Sequence, residues 1–274
     1  ASISFGEENE IENAERLSVD PTSTEESSKD TLVIRINSDP ASFDRHINTS
    51  YYAMMVQSYV CSYLVNREYD ENGDYIVCLN DYSLATDYSF DEDNLGITFS
   101  IRDEVLFSNG NKMTPEDIVF SIKLFSDLSA YEFIDFDNVS AGEHNTVYIP
   151  FLYTDATALE RIAEIPVYSI AYYDECDAAT DNAYFYGEGI MSVGPYKMVE
   201  YAAGDHITRE ANENYFAGEP KIKNIIVRII TESSVALMEL QTGGIDILND
   251  PAWIEVNDIL SGVYGDQYGV ITNA

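Results

Sequence analysis

The chain has 274 residues, and 14 Lys plus Arg stand against 49 Asp plus Glu, giving a formal net charge of −35. A field of that sign repels phosphate backbones and anionic lipid surfaces, so nucleic acid is set aside as a partner, although acidity alone names no ligand. Hydrophobic residues make up 45% of the sequence, enough for a sizeable core, yet no stretch reaches the roughly 20 uninterrupted apolar residues that a membrane-spanning helix needs.

Residues 1–30 place Glu7, Glu8, Glu10, Glu12, Glu15, Glu25 and Glu26 among Ser, Thr and Asn, and read as a disordered acidic tether. No secretory leader is seen, which fits a cytoplasmic protein or a mature chain whose leader has been removed. The tether favours the second and a lipid-anchored surface protein, though no anchoring cysteine stands before it. Folded structure is expected from Thr31-Leu-Val-Ile-Arg-Ile36, a β-branched strand stopped by the turn residues Asn37-Ser-Asp-Pro40. A buried helix is expected across the apolar run Tyr51 to Val65. Tyr69-Asp-Glu-Asn-Gly-Asp-Tyr75 then reads as a hairpin turn. Asp70, Asn72 and Asp74 alternate like calcium-loop ligands, but Tyr75 stands where that loop needs glycine, so no metal is expected.

Residues 97–102 alternate strictly, with Ile97, Phe99 and Ile101 on one face, as in a half-buried antiparallel strand. Asn109-Gly110 supplies a turn. Thr114-Pro-Glu-Asp117 then offers an N-cap, a proline at the first helical position and first-turn acids, with Ile118, Val119, Ile122 and Phe125 facing the core. Further strands are expected at 146–152, 196–199, 206–209 and 225–230, and helices near 158–165 and 234–241. Strands and helices mix without a repeat, which predicts a mixed α/β or α+β protein with more than one sheet.

Cys61, Cys78 and Cys176 are widely spaced with no CxxC pair, leaving buried thiols or a single bridge open and giving no zinc signal. His46, His144 and His206 lie far apart. No HExxH, phosphate loop or GxSxG elbow is present, so no catalytic residue is assigned and an enzyme is not expected. The 21 tyrosines suit either a pocket or an interaction surface.

Several local patterns occur in a fixed order. Leu32–Ile36 runs into Asp39-Pro-Ala-Ser-Phe-Asp44. Leu84-Ala-Thr-Asp-Tyr88 is followed by Thr98-Phe-Ser-Ile-Arg102, Val105-Leu-Phe107, Asn109-Gly110 and Thr114-Pro-Glu-Asp-Ile-Val-Phe-Ser121. Later come Val193-Gly-Pro-Tyr-Lys197, Asn212-Glu-Asn-Tyr-Phe216 with Gly218-Glu-Pro220, and Leu240 to Asp246. In that order, over about residues 31–250, they resemble the family-5 extracellular solute-binding proteins, the receptors of ABC importers for peptides, nickel complexes or sugars. Tyr88 stands where Trp is common, Asn109 where Asp is, Pro115 where Ala is, and His46 where a proline is usual. The first three substitutions keep the local physics.

The resemblance implies a periplasmic-binding-protein-like fold of type II, in which lobe I with an inserted lobe II faces lobe III across a cleft. It places lobe I at 31–50 and 186–258 and lobe II at 51–185. Residues 259–274 would start the crossing into a lobe III that this chain lacks. It implies an extracytoplasmic receptor, lipid-anchored in its full length, that captures peptides and delivers them to a membrane permease without a cofactor. The alternatives are a nickel complex or sugar as solute, or an interaction or sensory module on the same fold. By position, the expected ligand-binding residues are Ser38, Asp39, Pro40 and Phe43 in the loop after the first strand, and Gly194 and Tyr196 near the lobe crossing. Phe43 and Tyr196 can equally be core packing, and Asp39 can equally cap local amides. A sheet edge left open by the missing lobe would allow dimerisation.

Overall fold

The computed structural model describes residues 29–40, 42–43, 50–70, 72, 74–176 and 190–270. All but the last two residues of the expected tether lie outside these, as do His46 and residues 177–189. In chain order the first elements are strand β1 (Thr31–Ile36), helix α1 (Tyr51–Ser58), β2 (Asn66–Tyr69), β3 (Tyr75–Cys78), β4 (Ala85–Phe90) and β5 (Gly96–Ile101). Next come α2 (Pro115–Lys123), β6 (Ser140–Gly142), β7 (Thr146–Pro150), α3 (Ala158–Ile162) and α4 (Ile170–Cys176). The chain continues through β8 (Tyr196–Ala202), β9 (His206–Ala211), β10 (Asn224–Ile229), α5 (Ser233–Thr242), β11 (Ile247–Leu248) and α6 (Trp253–Leu260).

β1 lies parallel between β10 and β11, and β9 and β8 extend the sheet antiparallel, in the order β11-β1-β10-β9-β8. Alternation puts Ile34 and Ile36 on one face, where Val56 and Val60 of the α1 region pack with Ile207, Ile225 and Val227. Val33 points to the other face, against Ala236 of α5, Ile230 and Ile245. Covering both faces is what lets a six-residue strand of nearly continuous apolar character sit in the middle of a sheet.

The second sheet is antiparallel, β4-β5-β7-β6. The expected alternation in β5 holds: Ile97, Phe99 and Ile101 are buried, with Ile97 opposite Ile149 and Phe99 opposite Val147. Ile118 and Ile122 of α2 close over this core. The start of α2 forms as its sequence dictates. Asp117 Oδ2 accepts from the Thr114 backbone N–H at 2.9 Å and from its hydroxyl at 3.0 Å, and Asp117 Oδ1 accepts from Ile170 N–H at 3.0 Å, tying α2 to α4.

One expected element is shorter than its apolar run. The helix predicted over 51–65 stops at Ser58 because the following residues exchange helical hydrogen bonds for bonds to distant segments. Gly194 N–H donates to Val60 O at 2.9 Å, Tyr196 N–H to Tyr59 O at 3.0 Å, Leu84 N–H to Tyr63 O at 2.9 Å and Ala85 N–H to Leu64 O at 3.0 Å. Residues 59–65 are therefore the seam between the two cores. In the β2–β3 hairpin, Asp70 Oδ1 accepts the N–H groups of Asn72 and Asp74, each at 2.8 Å, so this carboxylate shapes the turn. Among the described residues, no helix is long and apolar enough to cross a membrane, and no group of three or more His, Cys, Asp or Glu could hold a metal ion.

Candidate functional site

Helix α1 is apolar on more of its circumference than the core uses. Ala53, Val56 and Gln57 form its buried stripe, and Gln57 is pinned there by donating to Phe43 O and to Tyr168 Oη. Tyr51, Met54, Met55 and Ser58, spaced i, i+3, i+4 and i+7, form a second stripe on another face. Met54 is 37% exposed and Tyr51 56%. An outward stripe of large apolar side chains on a helix whose other face is locked into a sheet is a surface awaiting an occupant.

That stripe lines an open cavity of about 510 Å³. Cys61, Ser62 and Tyr63 continue the wall along the seam, Asn66 and Arg67 of β2, in the separate two-stranded β2–β3 sheet, and Ala163 and Glu164 after α3 form another side, and Tyr82, Pro195 and Tyr215 close the remainder. The cavity thus lies along the seam between the two cores. Its size is in the range of small-molecule sites, and its mixture of aromatic and thioether walls with a few polar groups is typical of them.

The polar groups of the wall are held by the protein itself. Ser58 Oγ donates to Met55 O at 2.8 Å, Ser62 Oγ to Val193 O at 3.1 Å, and Asn66 Nδ2 to Asn80 Oδ1 at 2.8 Å. Arg67 Nη2 donates to Glu160 O at 2.7 Å and pairs with the Glu164 carboxylate, while its guanidinium lies 5.8 Å from the Tyr75 ring centroid. Burial pulls the Arg67 pKa down, but the Glu164 carboxylate outweighs it and holds the guanidinium above its usual value. The Tyr215 phenol is pushed up, chiefly by burial, despite its hydrogen bond with Ser62.

The structure gives each residue expected from sequence a definite place. Ser38 is exposed in the loop after β1. Asp39 accepts from Tyr201 Oη at 2.5 Å and from Gly204 N–H at 2.6 Å, fastening that loop to the β8–β9 hairpin. Pro40 is buried. Phe43 has 0% exposure and meets the Tyr201 ring edge-on at 5.1 Å. Gly194 lies so close to the seam that a Cβ would sit 2.2 Å from Val60 O, which only glycine permits. Tyr196 is 8% exposed and donates to Ile222 O at 3.0 Å. Of the six residues, none lines the cavity, although Pro195, between Gly194 and Tyr196, does. The i, i+3, i+4, i+7 stripe from Tyr51 to Ser58 was the sequence signal for the wall.

A mixed sheet covered by helices on both faces, a second sheet inserted between its strands, and a cavity along the seam between the two cores define a periplasmic-binding-protein-like solute-binding fold. Residues 82–267 match the bacterial extracellular solute-binding proteins, family 5 (middle region), and the chain belongs to that family. The oligopeptide-binding protein AppA of Bacillus subtilis is 28% identical over 181 residues, covering 62% of this chain and 33% of AppA. The probable D,D-dipeptide-binding periplasmic protein DdpA of Escherichia coli is 26% identical over 229 residues, covering 80% of this chain and 43% of DdpA. Among solved structures, NikZ from Campylobacter jejuni in complex with Ni(L-His) superposes with a TM-score of 0.72 at 24% identity, over 89% of this chain and 47% of NikZ. AppA in complex with a nonapeptide superposes with a TM-score of 0.69 at 22% identity, over 78% of this chain and 43% of AppA. The chain therefore spans a third to a half of the length of these relatives.

Proposed function

We propose that this chain forms one wall of the binding cleft of an extracytoplasmic receptor that captures short peptides and hands them to an ABC permease. The observation that carries the reading is the open cavity along the outer stripe of α1, in a chain whose family relatives include named oligopeptide- and dipeptide-binding proteins. Relatives named as binding proteins support binding without catalysis.

In this reading lobe I is built on the five-stranded sheet and lobe II on the antiparallel sheet, and a further lobe closes over the cavity in the full-length receptor. Ser38 stays a rim contact, while Asp39, Pro40, Phe43, Gly194 and Tyr196 act by fixing the β1 loop and the seam beneath the wall. Lipid anchoring and docking to a permease belong to the same proposal, as does pairing of two copies through the β11 edge. Sedimentation at monomer mass across a concentration series would remove that last element.

The test is a thermal-shift scan of the chain against pooled di- to pentapeptides and, separately, nickel–histidine. A ligand at about 100 times its dissociation constant adds roughly 2.7 kcal/mol, a shift of several degrees for a protein of this size. A shift with peptides supports the reading. A shift with nickel–histidine alone replaces peptide as the solute, and no shift with either removes solute capture by this wall.

A further inference from the structure

Among its described lining residues the cavity carries no net charge. Its charged lining groups, Arg67 and Glu164, neutralise each other, and Arg67 is also spent on Glu160 O and the Tyr75 face. Arg67 Nε, which has no hydrogen-bond partner among the described residues, is shut off from solvent, so an incoming group cannot reach it. Ser58, Ser62 and Asn66 direct their donors into the protein. The rest of the described lining is mainly thioether and aromatic ring, from Met54, Met55, Tyr82 and Tyr215.

A charged side chain entering this space would give up its hydration for a wall that returns no ion pair. An aliphatic or aromatic side chain would exchange water for polarizable surface, with methionines able to reshape around rings of different size. Resting on the solute-capture reading above, we propose that this cavity is a specificity pocket for one large uncharged side chain of the bound peptide, aromatic or branched aliphatic, and that it rejects lysine there. The net charge of −35 makes this a demanding claim, because the long-range field favours a cationic peptide. A preference for phenylalanine over lysine must come from the local wall, against that field.

The experiment is calorimetric titration of the chain with the tripeptides Ala-Phe-Ala, Ala-Leu-Ala, Ala-Ser-Ala and Ala-Lys-Ala, repeated on Met54→Glu. Met54 lies on the exposed stripe, so an unchanged circular dichroism spectrum and melting point establish that the variant is folded. Apolar burial of one side chain predicts Phe and Leu peptides binding about 10- to 200-fold tighter than the Lys peptide. The Met54→Glu variant should lose most of that margin, as Phe binding weakens and Lys binding strengthens. Equal binding of all four peptides, or Phe binding untouched by Met54→Glu, overturns the pocket and leaves peptide capture standing. Binding of none of the four at millimolar concentration overturns both.

Discussion

The five-stranded sheet buries an arginine on each face, and the surroundings of the two differ. Arg35 of β1 sits on the α5 side, where Nε donates to Ile230 O at 2.8 Å and Nη1 donates to Asn249 O and Asp250 O, each at 3.0 Å. Burial lowers its pKa, offset in part by Tyr52, Glu255 and Asp250. Arg209 of β9 sits on the α1 side with none of its three nitrogens hydrogen-bonded to a described residue, its guanidinium 4.8 Å from the Tyr59 ring centroid. Burial pushes it down to about 10. One face thus uses its arginine to tie strand ends to the β11–α6 connection. The other leaves its arginine against the Tyr59 ring with no hydrogen bond to a described residue, an interaction worth about 2 kcal/mol when desolvated. Burial alone does not say what a polar residue contributes; the supply of partners does.

Replacing each arginine by methionine should therefore have opposite signs. Arg35→Met leaves three carbonyls without their donor and should cost about 3 kcal/mol or more, read as a lower urea midpoint. An unchanged midpoint would place the Arg35 bonds outside the stability of the fold. Arg209→Met removes a buried cation that has no hydrogen-bond partner among the described residues, at nearly constant volume, and should raise stability by roughly 2 kcal/mol. A loss there instead would mean that the guanidinium has partners equivalent to those of Arg35, and the contrast would collapse.

Asp39→Ala sharpens the comparison, because the α1 side does satisfy polar groups where the chain supplies donors. Losing the bonds from Tyr201 Oη and Gly204 N–H should cost about 1–2 kcal/mol and raise hydrogen exchange at the β8–β9 turn. Protection unchanged at Gly204 would count against that fastening.

The smallest expected effect lies on the Arg35 side. His206 Nδ1 stands 2.9 Å from Asp205 and Nε2 3.4 Å from Glu200, and across the strand it faces Arg228, itself paired with Glu239. The hydrogen bond with Asp205, against a smaller burial penalty and with help from Glu200, raises its pKa above the usual 6.5. A raised folded pKa means the stabilisation is complete below about pH 6.5 and is lost as pH climbs through the folded value. Because both carboxylates are mostly exposed, the effect should stay below about 1 kcal/mol. Urea midpoints at pH 5.5 and 8.5 should show the wild type losing more than His206→Gln. Identical pH dependence in the two would remove His206 from the account.

Local chemistry was legible in the sequence wherever it acts over a few residues: the alternation of β5, the capping at Thr114–Asp117, and the turn at Asp70–Asp74. The end of α1 was not, because Ser58 is the last helical residue only by virtue of hydrogen bonds to residues 84, 85, 194 and 196. The cavity suffered the same way. Its wall is assembled from residues 51 to 67, 82, 163, 164, 195 and 215, and an apolar stripe on a helix does not announce whether another element covers it. Phe43 and Tyr196 illustrate the converse: aromatic side chains near the crossing whose sequence leaves pocket and core equally open are buried.

The central claim is that solute sits on the outer stripe of α1, and photoaffinity labelling tests it most directly. A tripeptide with a benzophenone side chain at its middle position is irradiated with the protein, with and without excess Ala-Phe-Ala, and adducts are mapped by mass spectrometry. The account predicts adducts at Met54, Met55 or Tyr82 that the competitor removes. Adducts confined to other surfaces, such as Trp253 with its 71% exposure, or adducts that the competitor does not reduce, would contradict it.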